Sequence, residues 1–84
     1  MIYNETVQIW IDDLVERTGC DTIEQLTQEE ILAEVEEVRG TISNERIWEL
    51  GYDGEEPINP HTENIMVLIE YLEVLDEMLK NKED

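Results

Sequence analysis

A chain of 84 residues with 23 Asp and Glu against 5 Lys and Arg, a formal net charge of -18, has the wrong sign to be drawn to nucleic-acid phosphates or anionic lipid. It is long enough for one domain at most, near the lower limit for a core without disulfide, metal or partner subunit, so oligomerisation is an open expectation. An apolar fraction of 40% argues against disorder, the lone Cys20 allows no internal disulfide, and no apolar run reaches the roughly 18 to 20 residues of a membrane span.

The N-terminal MIYNETVQIW has no basic residues ahead of an apolar run, so no export signal is read there and a cytoplasmic location is expected. Over residues 5–18, Val7, Trp10, Ile11, Leu14 and Val15 recur at three- and four-residue steps, with Asn4 placed to cap a first helix and Gly19 to stop it. The following CDTIEQLTQEEI holds two capping-box patterns, Asp21 to Glu24 and Thr27 to Glu30. They predict a short helical turn over 22–26 and a second long helix from 28, with Leu26 stapled to Ile31.

That second helix carries Ile31, Val35, Val38 and Ile42 as a heptad seam, which then lapses: Glu45 and Glu49 take the next seam positions. Gly40, Ser43 and Asn44 are weak helix formers, which raises a kink or break over 40–44 as an alternative, and continuation to about Leu50 with a cap at Gly51 is the preferred reading. GYDGEEPINP, with two Gly and two Pro, reads as a loop. Asn59 then caps a third helix, 60–80, with Pro60 at its first position.

The third helix has two seams side by side, Ile65, Leu68, Leu72, Leu75 and Leu79, and then Val67, Tyr71, Val74 and Met78. Together they cover more than half the circumference, more than one neighbouring helix can bury. The expected fold is therefore one all-α domain of three helices with a long antiparallel hairpin, in an oligomeric bundle. Met66, Val67, Tyr71, Val74 and Met78 are expected to face a second chain.

Candidate chemistry is sparse. Glu34 with Glu37 and Glu73 with Asp76 are i, i+3 carboxylate pairs on predicted helices, similar to those by which all-α nucleoside triphosphate pyrophosphohydrolases of the MazG kind hold Mg²⁺. So many acids produce such pairs by chance and basic residues to grip a triphosphate are few, so solvated helix faces are the preferred reading, with no enzyme activity, metal or cofactor assigned. His61 reads as a surface residue of a first helical turn, Cys20 as a small partly buried hydrophobe, and Trp10 and Trp48 as core or interface anchors.

The charge itself is the more informative feature. Carboxylates on all helices and in the loop, with Asp53, Glu55, Glu56, Glu63, Glu70, Glu73 and Glu77 as the expected partner surface, can imitate rows of DNA phosphates and occupy a basic cleft. The run TISNERIWELGYDGEEPINPHTENIMVLIEYLEVLDEML, about residues 41–79, resembles small acidic helical-hairpin proteins encoded by phages and prophages of low-GC Gram-positive bacteria. The resemblance rests on Asn44, Glu45, Arg46, Trp48, Leu50 and Gly51, then His61, Glu63, Asn64, Leu68, Glu70, Tyr71, Leu72 and Glu73. It implies a phage-type origin and a helical hairpin, and no activity. The leading expectation is an interaction protein that binds and inhibits a basic host nucleic-acid-handling protein, without touching nucleic acid or membrane itself. Its rivals are a structural or assembly oligomer and a Mg²⁺-dependent nucleotide pyrophosphohydrolase.

Overall fold

The computed structural model describes residues 4–54 and 59–83. Among the described residues all regular structure is helical: α1 (Glu5–Arg17), a 3₁₀ turn (Ile23–Gln25), α2 (Gln28–Gly51) and α3 (Pro60–Glu83).

Local chemistry sets each helix end. The Asn4 side chain accepts from the Thr6 amide at 2.8 Å, satisfying one of the donors that a helix start leaves without a partner. At the other end of α1, Gly19 takes φ +77°, the left-handed conformation that costs glycine least. This lets its amide reach the Glu16 carbonyl and the Cys20 amide reach the Val15 carbonyl, closing a Schellman motif. Thr27 and Glu30 form the expected reciprocal capping box, at 2.9 and 3.1 Å, and Leu26 and Ile31, either side of it, are both fully buried. The Asp21 to Glu24 box does not form. Gln25 reaches back instead and its side chain accepts from the Asp21 amide at 2.7 Å, leaving only a 3₁₀ turn without a side-chain cap.

α2 runs without a break through Gly40, Ser43 and Asn44 and includes Gly51, with Tyr52 as the residue that ends it. The hydroxyls of Thr41 and Ser43 bond back to the carbonyls of Glu37 and Arg39, so these weak helix formers use their side chains inside the helix.

The core is one cluster drawn from all three α-helices and from Leu26 after the 3₁₀ turn: Val7, Ile11 and Leu14 of α1, Leu26, then Ile31, Val35 and Val38 of α2, and Leu68, Tyr71, Val74 and Leu75 of α3. α2 and α3 share the most extensive interface, and α1 lies chiefly against α3. Side-chain links across the α2–α3 interface join Glu49 to Thr62, Glu45 to His61 and Glu34 to Tyr71. The second seam of α3 is the flank on which α1 rests. Trp10 packs its ring 5.4 Å from that of Tyr71, and the Asn4 amide reaches Glu70 at 3.3 Å. Tyr71 and Val74 are accordingly buried within a single chain, while Val67 and Met78 pack half-buried against the same core. This corrects the assignment of Tyr71 and Val74 to a second chain: both are buried within one chain, with Trp10 of α1 against Tyr71, and of the five residues assigned Met66 stands open, at 66% exposure.

Candidate functional site

One carboxylate interrupts the apolar face of α2. Glu34, at 7% exposure, lies between Ile31 and Val38 on the side turned to the core. An ionised side chain there must be hydrogen-bonded or its desolvation would be prohibitive. Its Oε2 accepts from the Tyr71 hydroxyl at 2.5 Å and from Nη2 of Arg17 at 3.1 Å. Arg17 in turn holds Asp13 at 2.6 Å, one helical turn back. The hydrogen bond that Arg17 donates to Asp13, opposed by desolvation and reinforced by Glu34, raises the Arg17 pKa further, so the guanidinium stays charged. Burial first, and then the bond to Glu34, push the Tyr71 phenol well above its ordinary range, which fixes it as the neutral donor. Among the described residues no buried side-chain polar atom lacks a partner.

This triad floors an open cleft of about 450 Å³ whose walls include Trp10, Asp13, Glu37 and Thr41. Glu34 and Glu37 are one half of the alternative metal grouping, Glu73 and Asp76 the other. The structure separates the two halves: Glu73 and Asp76 border a different depression, with Glu77 and Lys80. The reason is angular, since Glu73, two residues beyond Tyr71, emerges about 200° further round α3. Glu34 meanwhile is taken by Arg17 and Tyr71. Among the described residues no group of three or more His, Cys, Asp or Glu side chains is placed to hold a metal ion.

A second polar cluster ties the end of α2 to the start of α3. Asn59 accepts from the His61 amide at 3.0 Å and donates to the Glu49 carbonyl at 3.1 Å, so one side chain caps one helix and satisfies the terminus of the other. His61 Nδ1 lies 2.7 Å from Glu45 Oε2, and the Thr62 hydroxyl donates to Glu49 Oε2 at 2.6 Å. The rings of Trp48 and Tyr52 meet the imidazole edge-on, at 5.7 and 6.0 Å. His61 is thus partly buried and paired, a correction to its reading as a plain surface residue. The signal was in the sequence: Glu45 and Glu49 occupy the seam positions where α2 stops being apolar. Trp48 remains 58% exposed, whereas Trp10 is half-buried against the core.

The remaining carboxylates face outward. Of the expected partner surface, Asp53, Glu63, Glu73 and Glu77 are exposed and Glu70 is half-buried, its carboxylate accepting from Asn4; Glu55 and Glu56 lie outside the described residues. Among the described residues Arg17 is the only Lys or Arg side chain within ion-pair distance of a carboxylate. Lys82 instead donates to the Glu24 carbonyl at 2.8 Å. No described helix is long and apolar enough to cross a membrane. Compared with known proteins, the chain matches no family model, no curated protein and no solved structure, so geometry and charge rather than kinship carry the functional reading.

Proposed function

We propose that this chain is an acidic helical interaction protein that binds and inhibits a basic, nucleic-acid-handling protein, presenting carboxylates where that partner would meet phosphates. The observation that carries the reading is the exterior of exposed carboxylates with almost no neutralising cations. A charge of -18 on a body 46 Å long is roughly one net charge per 2.5 Å, of the order of the one per ~1.7 Å along duplex DNA. Such a field steers a basic surface toward it and raises the rate of encounter. An antiparallel α2–α3 hairpin supplies the elongated frame; it is supported by the cross-links, which join the start of α3, 61 and 62, to the late α2 positions 45 and 49, and 71 to the early position 34. The resemblance of residues 41–79 to phage and prophage hairpin proteins makes a host protein the natural target and the host cytoplasm the place of encounter.

The test is capture from a host lysate followed by measurement on the purified pair. Binding should weaken more than tenfold between about 50 and 500 mM salt, as the screening length shrinks several-fold, and duplex DNA should compete with the acidic chain for the partner. A partner held equally at both salts and indifferent to DNA would replace this reading with an apolar, assembly-type one.

A further inference from the structure

Among the described residues, two arginine side chains of α2 have no ion-pair partner. In a molecule with 5 Lys and Arg against 23 acids, Arg39 and Arg46 are both exposed, and among the described residues neither lies within ion-pair distance of a carboxylate. They fall on one stripe with Leu32, Glu36, Ser43 and Leu50, whose successive steps of four, three, four, three and four are those of a coiled-coil seam. At about 100° per residue the stripe lies roughly a quarter-turn from the core-facing Ile31, Val35 and Val38, on the flank opposite the cleft-lining Glu37 and Thr41. All six residues are exposed, Leu32 at 51% and Leu50 at 88%.

We propose that this outer stripe of α2 is a self-association surface whose occupant is the same stripe of a second copy, antiparallel about a two-fold axis at the level of Thr41. The register places Leu32 opposite Leu50 of the second copy, Glu36 opposite Arg46 of the second copy, and Arg39 opposite Ser43 of the second copy. Symmetry makes each pairing twice. Charge complementarity selects this occupant. Residues 38–51 hold Arg39 and Arg46 against Glu45 and Glu49, net zero within a chain of -18, and those two glutamates are engaged by His61 and Thr62. Between Leu32 and Leu50 another copy can therefore approach without stripe carboxylate meeting stripe carboxylate. A parallel arrangement would set Glu36 on Glu36 and Arg39 on Arg39, and neighbouring heptad registers of the antiparallel one leave part of the stripe unpaired. Gly40, beside the stripe, has open space around its α-carbon, so the backbones can come close.

The test uses the purified chain alone and is independent of any basic partner. Sedimentation equilibrium at high micromolar concentration should give a dimer. Glu36→Arg and Arg46→Glu, each on its own, should raise the dissociation constant about tenfold or more, and the double variant, which keeps the net charge, should restore it to within about threefold of the parent. Glu36→Arg is the sharper arm, because it lowers the net negative charge and would favour association if general repulsion were all that mattered. Circular dichroism checks that each variant keeps its helix content, which these exposed positions should not alter. A parent chain that stays monomeric, single variants that dimerise like the parent, or a double variant no better than the weaker single one each overturns the proposal.

Discussion

The Tyr71 hydroxyl and the Arg17 guanidinium share one oxygen of Glu34, at 2.5 and 3.1 Å, and they do different work. Arg17 is half exposed, so water competes for it, whereas the phenol is buried with the carboxylate and has nowhere else to donate. Tyr71→Phe keeps the ring against Trp10 and removes only the donor. It should lower stability by about 1.5–3 kcal/mol, the range for a bond to a charged group, read as a drop in the urea midpoint. An unchanged midpoint would mean that Arg17 alone satisfies Glu34. The same residue gives a pH dependence. Because burial and Glu34 raise its folded pKa, the folded chain keeps a proton that the unfolded chain, at about 10, gives up. The stabilising contribution is complete below pH about 10 and is lost as pH rises beyond it, by up to ~1.4 kcal/mol per unit. Tyr71→Phe should flatten that alkaline decline, and an equally steep decline in the variant would assign it to other groups.

At the scale of the elements, the joint between α2 and α3 depends on one short side chain. Asn59→Ala removes both the cap on the His61 amide and the bond to the Glu49 carbonyl, for an expected cost of about 1–2 kcal/mol. Amide exchange should quicken at His61 and Thr62 while the centre of the core, around Leu75 and Ile31, stays protected. Uniform quickening would instead make the joint part of the global unfolding unit. Asn59, like Asn4 and the Thr27–Glu30 box, was legible in the sequence because a cap is a local pattern of residues no more than a turn apart. The helix spans were legible for the same reason. The partner of each helix face was not. Periodicity gives the angle of Tyr71 and Val74 on α3 but is silent on whether α1 or another chain lies at that angle, and α1 proved to be the neighbour. The four-carboxylate grouping failed in the same way, since i, i+3 spacing places Glu73 beside Asp76 without saying that both turn away from Glu34. The buried Glu34 itself left a readable mark, an acid set between Ile31 and Val38 on an apolar face.

The whole molecule, 46 × 22 × 22 Å, confines its net charge of -18 to a small volume, with few ion pairs among the described residues to offset repulsion. Exposed pairs such as Asp13–Arg17 contribute little in any case, so the apolar core must outweigh that repulsion. Salt should therefore stabilise this protein, the opposite of a fold dependent on surface ion pairs. The screening length falls from about 30 Å at 0.01 M to ~3 Å at 1 M, from longer than the molecule's short dimensions to less than a helix diameter. Over that range the melting temperature should climb, by about 4–8 °C for each kcal/mol of repulsion relieved in a domain of this size. The identity of the cation separates two origins of the effect. Diffuse screening depends on ionic strength and ion valence, and shows no saturation at low concentration. A site that grips a divalent ion would instead raise the melting temperature at low millimolar Mg²⁺ and then level off, by linkage to binding. With Glu34 committed to Tyr71 and Arg17, and Glu73 and Asp76 on another side of α3, NaCl and MgCl₂ should give smooth curves without a plateau. A saturating Mg²⁺ response abolished by Glu73→Gln would return the carboxylate pairs to the position of a metal site.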